Sequence, residues 1–112
     1  MCSANKMNEI NRQMLDCYRE TYGADLRSVI LYGSYARGDF DDESDIDYTA
    51  IVDGDRRELQ QKLKSVWARS AELGMENDVV ISPTVIPESE YEQYKEILPY
   101  YRNIMEEGQL VG

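Results

Sequence analysis

Residues 28–52 read SVILYGSYARGDFDDESDIDYTAIV, and this stretch decides the fold. Its first five residues, 28–32, are rich in β-branched and aromatic side chains and predict a buried strand that ends at a Gly-Ser pair. A turn or short helix is expected to begin at Ser34, and residues 38–44 have the composition of a loop. A second strand is expected over residues 46–52, before an Asp-Gly-Asp turn. The centre of the domain is therefore two strands joined by an acidic loop.

Helical patterns lie on both sides of these strands. Apolar residues recur at three- and four-residue steps over residues 5–22, and Gly23 follows as a C-terminal cap, which predicts an amphipathic helix. A second helix is expected over residues 55–73, with Asp55 as its N-cap and Gly74 as the residue that stops it.

The last third of the chain predicts one more strand and more helix. Residues 78–82, Asp-Val-Val-Ile-Ser, are expected to form a third strand. A helical stretch is expected to open at Pro87 and to be interrupted by Pro99 before residues 100–107. The predicted order is α-β-α/loop-β-α-β-α, which indicates a single α+β domain over residues 1–112.

The composition excludes several kinds of chemistry. The 112 residues include 22 acidic side chains, 12 basic ones and no histidine, for a formal net charge of −10. Without histidine, a Ser-His-Asp triad, a Cys-His pair and an H-E-x-x-H zinc site are excluded. An acidic chain without a Lys/Arg cluster argues against direct nucleic-acid binding and suits divalent cations or a basic protein partner better.

Cysteine usage and hydropathy bear on the compartment. Cys2 and Cys17 form no C-x-x-C pair and follow no secretory segment, which indicates reduced thiols in a cytoplasmic protein. No apolar run approaches the ~18 residues needed to span a bilayer, so no membrane partner is expected.

The loop and the second strand carry the candidate metal ligands. Six of the nine residues 39–47 are acidic, and most of them are expected to be solvated loop charges. Asp45 and Asp47 differ, because they open a predicted strand, whose two-residue period places both side chains on one face about 7 Å apart. Two half-buried carboxylates repel each other unless a cation lies between them. Oxygen ligands of this kind predict Mg²⁺ or Mn²⁺ rather than zinc.

A third carboxylate is expected near this pair. Asp78 is the candidate, because it stands at the head of an otherwise apolar predicted strand, and neighbouring strands lie only about 5 Å apart. The alternative is that Asp78 simply begins a strand in solvent.

The junction Gly33-Ser34-Tyr35-Ala36-Arg37-Gly38 is the second half of the candidate site. A strand-to-turn junction of this kind can offer backbone N–H groups and a hydroxyl to an anion. It is not a Walker A loop, because Asp39 and Phe40 stand where Lys and Ser/Thr are required. Alone, the junction does not decide the function.

Together, Gly33-Ser34, ten intervening residues and then Asp45-Ile46-Asp47 resemble the signature of the DNA polymerase beta-like nucleotidyltransferase superfamily. GSYARG followed by SDID is similar to its minimal nucleotidyltransferase (MNT) branch, and the likeness runs from the first predicted helix through Asp78 and again over residues 101–108. The resemblance implies a palm-like α+β fold in α-β-α-β-α-β order, with a mixed sheet flanked by helices.

The resemblance also implies roles for the residues that match the motif. Gly33 and Ser34 would hold the β- and γ-phosphates of a nucleoside triphosphate. Asp45 and Asp47 would bind magnesium, and Asp78 would be the third metal ligand and the base for the acceptor hydroxyl. The reaction implied is attack by that hydroxyl on the α-phosphorus, with pyrophosphate leaving.

The acceptor is inferred from the family and from the chain length. Relatives that modify antibiotics or polymerise nucleotides carry an added helical domain, for which 112 residues leave no room. Stand-alone MNT domains typically occur as the antitoxin of a helical HEPN-type toxin, so the resemblance implies Mg²⁺-dependent transfer of AMP from ATP to a hydroxyl of that partner. Arg37 would help neutralise the triphosphate, or would instead pair with a loop acid.

Two other functions stay open at this point. One is a non-catalytic antitoxin module that binds nucleotide and partner. The other is an antibiotic nucleotidyltransferase completed by a separate subunit.

Overall fold

The computed structural model describes residues 4–39, 41 and 44–112 of the chain. Its elements are, in chain order, α1 Ala4–Tyr22, a 3₁₀ turn Gly23–Asp25, β1 Leu26–Tyr32, α2 Ser34–Arg37, β2 Ile46–Val52, α3 Arg56–Asn77, β3 Ile81–Pro87, α4 Glu88–Tyr94, α5 Pro99–Glu107 and β4 Gln109–Leu110. Within these described ranges, the helices are too short or too polar to cross a membrane.

The strands form one mixed sheet in the order β3-β2-β1-β4. β1 pairs antiparallel with β2 and with the short β4, whereas β2 and β3 run parallel. In this register Asp47 lies beside Tyr32 on β1 and beside Ser82 on β3. The predicted α+β architecture with a mixed sheet flanked by helices is therefore confirmed.

One face of the sheet, here called the core face, is fully buried. Alternate residues of β2 have exposed fractions of 0% on this face: Ile46, Tyr48, Ala50 and Val52. They pack against apolar residues of α1 and α3, such as Met14 and Val66. The two-residue period of β2 fixes this face, because its apolar side chains must all point toward the two long helices.

The other face, here called the site face, carries the residues between them. Ile51 and Ile86 pack there against Ile104 of α5 and form a second, smaller core. Tyr32 packs partly against this core, and Asp47 beside it is only half-buried. The site face is therefore the one on which polar side chains remain accessible.

The second half of α3 differs from the prediction. The side chain of Asp55 accepts hydrogen bonds from the backbone N–H groups of Arg57 and Glu58, as expected for an N-cap. Gly74 does not stop α3, however, and a Cβ at Gly74 would come within 2.6 Å of the Val79 carbonyl oxygen. Glycine is needed there for close approach of the chain that leads to β3.

The strand expected over residues 78–82 begins only at Ile81. Asp78 instead ends α3 in the left-handed conformation, with φ 56°, and its N–H donates to the Gly74 carbonyl. Asp tolerates this conformation better than most residues. The two valines that follow Asp78 have the β-branched pattern that is typical of the start of a strand.

The C-terminal region also corrects two boundaries. Pro87 is the last residue of β3, and Pro99 begins α5 rather than interrupting a helix, as the missing N–H of proline allows at a helix start. The short strand β4 was not predicted, and the residues after it hydrogen-bond to Val29 of β1.

Candidate active site

The Gly33-Ser34 corner joins the end of β1 to α2. Gly33 has φ 76° and ψ −156°, a conformation that is essentially restricted to glycine, and its carbonyl accepts hydrogen bonds from the N–H groups of Ala36 and Arg37. A Cβ built at Gly33 would lie 2.5 Å from Oδ2 of Asp47. The corner and the Asp47 carboxylate are therefore in direct contact, which leaves no space for a side chain at position 33.

Asp45 and Asp47 lie on either side of the first residue of β2. Asp47 is half-buried on the site face, and Asp45 is exposed just before the strand begins. Burial raises the pKa of Asp47 above its ordinary value, and the negative charge of Asp45 raises it further. The structure thus brings the two predicted carboxylates close enough to repel each other.

Arg37 stands at the end of α2, and its surroundings fit both alternatives left open by the sequence. Its guanidinium pairs with the exposed loop acid Asp39 at 3.2 Å and with Glu107 of α5 at 3.5 Å. Its positive charge also lowers the pKa of Asp47, against the two effects that raise it. Arg37 therefore lies at the edge of the carboxylate pair while it links α2 to α5.

Asp78 does not lie with this pair on the sheet. It is exposed and lines a groove of about 510 Å³ between α2, α3 and the start of β3, on the side of the core face. In the part of the chain that the structure describes, which includes Asp45 and Asp47, no three acidic, cysteine or histidine residues form a group that could hold a metal. The predicted setting of Asp78, beside the pair on a neighbouring strand, is wrong.

Hydroxyl side chains take the position expected for the third acid. Ser82 lies beside Asp47 in the parallel register, and Thr84 follows two residues later on the same face. The alternation of Ile81 and Val85 with these polar residues was a signal that sequence reasoning missed.

Tyr32 lies on the site face beside Asp47 and contacts α5. Its side chain starts on β1, and its hydroxyl oxygen lies 3.1 Å from that of Tyr100 on α5. Burial and the bond with Tyr100 raise the pKa of Tyr32 well above its ordinary value. Thr49 on the intervening strand is fully buried, and its Oγ1 has no hydrogen-bond partner among the described residues. Sequence reasoning did not predict this hydroxyl cluster, which depends on contact between β1 and α5.

The donor set is suited to a hard divalent cation. Asp45 and Asp47 offer carboxylate oxygens, and the repulsion between them would be relieved by a positive charge. Mg²⁺ is often bound by one or two protein carboxylates together with the phosphates of its substrate. Two carboxylates beside the Gly33-Ser34 corner therefore fit a magnesium–nucleotide complex without a third acid.

The sequence matches a family model described as "Nucleotidyltransferase domain" over residues 12–111. It is 33% identical over 101 residues to "Putative protein adenylyltransferase MJ0604" of Methanocaldococcus jannaschii, a match that covers 89% of this chain and 92% of that protein. It is 42% identical over 60 residues to "Putative protein adenylyltransferase MJ0141" of the same organism, covering 54% of this chain and 59% of the relative.

Two solved structures share the fold. A toxin–antitoxin crystal structure with AMP-PNP has a TM-score of 0.54 at 15% identity, covering 99% of this chain and 73% of that chain. The complex of a tri-AMPylated Shewanella oneidensis HEPN toxin with its MNT antitoxin has a TM-score of 0.51 at 14% identity, covering 95% and 72%. At these identities the likeness shows the fold alone.

Proposed function

Because the chain belongs to the nucleotidyltransferase domain family, we propose that it transfers AMP from ATP to a hydroxyl group of a partner protein. The family and enzyme class predicted from the sequence are confirmed by this membership. The nucleotide, the acceptor and the partner are our proposals. The observation that carries them is the contact between the Gly33 corner and the carboxylate of Asp47.

Different residues of the site would bind the phosphates of ATP and its magnesium ion. Gly33 and Ser34 would hold the β- and γ-phosphates, and Arg37 would contribute positive charge at their edge. Asp45 and Asp47 would hold Mg²⁺, whose charge stabilises the entering and leaving oxygens of a phosphoryl transfer. The α-phosphorus would then lie over β2, within reach of the carboxylate pair.

The acceptor hydroxyl attacks the α-phosphorus and releases its proton to water, and the bond to the pyrophosphate oxygen breaks on the opposite side. We assign Asp78 no role in this step, because it ends α3 and lines a groove instead of standing on β3 beside the pair. Ser82 and Thr84 occupy the β3 positions beside the pair, so hydroxyl groups rather than a third carboxylate border the approach of the acceptor.

Several observations support a HEPN-type helical protein as the acceptor. Two relatives are named as protein adenylyltransferases, and structures with the same fold come from toxin–antitoxin complexes, one with an AMPylated HEPN toxin. The net charge of −10 favours association with a basic partner. The chain would then be the antitoxin of the pair, acting in the cytoplasm.

One observation favours a second candidate, a module that neutralises its partner by binding alone. The described residues hold two site carboxylates rather than a cluster of three, and two are sufficient to bind a magnesium–nucleotide complex without transfer. This candidate predicts that the Asp45→Asn/Asp47→Asn variant still binds and silences the partner.

The test incubates the chain with the product of the adjacent gene, Mg²⁺ and ATP labelled at the α-phosphate. The proposal expects label on the partner with the wild type and with Asp78→Asn, and none with Asp45→Asn/Asp47→Asn. Label that never reaches the partner, or that reaches it equally with the double variant, would refute the transferase. If Asp45→Asn/Asp47→Asn transfers no label but still silences the partner, the binding module would be established instead.

A further inference from the structure

Tyr100 is an exposed tyrosine held beside the proposed site. It is the second residue of α5, and 46% of its surface is exposed. Its hydroxyl oxygen lies 3.1 Å from that of Tyr32, and the two rings meet edge to face with centroids 6.0 Å apart. Tyr32 in turn lies beside Asp47 in the sheet. A nucleophilic hydroxyl of the chain itself thus contacts the side chain of the residue that pairs with Asp47.

We infer that Tyr100 is an internal acceptor, and that the site adenylylates this tyrosine in the absence of a partner. The inference rests on the proposed function, because it uses the same donor, the same carboxylate pair and the same Gly33-Ser34 corner. It adds a modification site within the chain.

The order of the strands indicates the side from which an acceptor must come. In an in-line displacement the attacking oxygen and the leaving pyrophosphate lie on opposite sides of the α-phosphorus. Pyrophosphate at the Gly33 corner lies at β1, and the carboxylate pair lies at β2, so the attack comes from the direction of β3. Tyr32 pairs with Asp47 in the sheet, and Tyr100 contacts the hydroxyl of Tyr32 from α5.

Two contacts tie α5 and the strand β4 that follows it to the same region. Glu107 of α5 pairs with Arg37 at 3.5 Å, and the Gln109 side chain donates to the Ala36 carbonyl at 2.7 Å. The C-terminal end of the helix that carries Tyr100 is therefore anchored to α2, next to the proposed phosphate site.

The neighbouring Tyr101 provides a natural contrast. Its hydroxyl accepts a hydrogen bond from Arg56 at 3.4 Å, at the start of α3, and its ring packs against Tyr94. Arg56 follows β2 at the end of that strand opposite to Asp47. Of the two adjacent tyrosines, only Tyr100 is directed to the hydroxyl of Tyr32.

The chemical step is balanced with ATP as the only co-substrate. The Tyr100 oxygen forms a bond to the α-phosphorus, the bond from that phosphorus to the bridging oxygen breaks, and pyrophosphate leaves. The phenolic proton passes to water, which reaches the exposed side chain. The hydroxyl of Tyr32 can donate to the Tyr100 oxygen and stabilise the negative charge that develops on it.

The product would carry AMP on α5, where its charge and bulk lie across the acceptor side of the site. Modification of Tyr100 would therefore limit transfer to any other acceptor.

The test uses the full chain alone with Mg²⁺ and α-labelled ATP, followed by peptide mass spectrometry. We expect adenylyl label on Tyr100 of the wild type and of Tyr101→Phe. Labelling of Tyr100→Phe should fall to the level of Asp45→Asn/Asp47→Asn, with an unchanged circular dichroism spectrum. Peptide mapping of the wild type identifies the labelled residue even if Tyr100→Phe folds poorly.

Three results would overturn the inference. Label mapped to another residue, or retained in Tyr100→Phe, would do so while leaving the proposed function intact. Label that reaches the partner protein but never this chain would also refute self-modification alone. Absence of label from both proteins would refute the proposed function together with the inference.

Discussion

The two faces of the sheet share the same three long strands, β1, β2 and β3, but differ in what they do. On the core face, β2 presents Ile46 and Tyr48 to α1 and α3, and both are fully buried. On the site face, the residue between them is Asp47, half-buried and pressed against Gly33. The strand period thus separates stability from chemistry within three consecutive residues. Substitutions on the site face should therefore lower the rate of transfer without lowering stability, whereas substitutions on the core face should lower stability without abolishing transfer.

The largest effect is expected for Asp47→Asn, on the proposed transfer reaction. Loss of one magnesium-binding carboxylate should lower the rate of AMP transfer by about 10³-fold, or about 4 kcal/mol in the barrier. The same change should raise the free energy of unfolding by roughly 0.5 kcal/mol, because a half-buried, repelled charge is removed and solvent screens part of that repulsion.

The sign of the stability change follows from the direction of the pKa shift. Burial and Asp45 raise the pKa of Asp47 in the folded protein, so the ionised carboxylate is unfavourable above that pKa and the cost disappears at lower pH. Urea unfolding at neutral pH and a labelled-ATP rate assay measure the two effects. If Asp47→Asn still transferred AMP and were less stable than the wild type, the division between the two faces would be contradicted.

The opposite signature is expected one residue away, for Ile46→Ala. This side chain has an exposed fraction of 0%, and its loss should reduce the free energy of unfolding by about 2–4 kcal/mol. At urea concentrations below the unfolding transition, the folded Ile46→Ala protein should still transfer AMP. Ser82→Ala, on the site face, is the matched control and should change stability by no more than about 0.5 kcal/mol. Equal losses for the two variants would show that the faces are not distinct.

A smaller effect on stability is expected at the glycine corner. Gly33→Ala should cost about 2–3 kcal/mol from backbone strain and should displace the Asp47 carboxylate, which lowers the rate of transfer. Gly38→Ala is the control, because Gly38 also has positive φ, 84°, but a Cβ there meets nothing within 4 Å. Its cost should be about 1 kcal/mol with transfer retained. A Gly33→Ala variant with full activity would remove the reason for placing phosphates at this corner.

The smallest effect is expected for Thr49→Val. Thr49 lies on the site face but is fully buried, with Oγ1 unpaired among the described residues. Replacing the hydroxyl with a methyl group should raise the free energy of unfolding by about 1 kcal/mol, as measured by urea unfolding. A loss of stability would instead indicate that the hydroxyl has a partner in solution, such as an ordered water.

The sequence predicted the parts of this site that depend on local pattern. The alternation in β2, the Gly33-Ser34 turn and the Asp55 cap each follow from residues within a few positions of one another. Asp78 was misplaced because a left-handed helix end followed by two valines has the same local pattern as the start of a strand.

The rest of the site depends on contacts between distant residues. Tyr32 and Tyr100 are 68 positions apart, and their contact requires α5 to pack across the sheet. The close approach at Gly74 likewise depends on the chain that returns toward β3, so the length of α3 was underestimated. Neither contact leaves a periodic signal in a single sequence.

The most direct test of the central claim is a calorimetric titration of the chain with a non-hydrolysable ATP analogue, with and without Mg²⁺. We expect binding that requires the metal and that weakens by about tenfold or more, or about 1.4 kcal/mol, in Asp45→Asn/Asp47→Asn, while Asp78→Asn binds like the wild type. Equal affinity in the wild type and the double variant, or binding unaffected by removal of Mg²⁺, would contradict the assignment of the site.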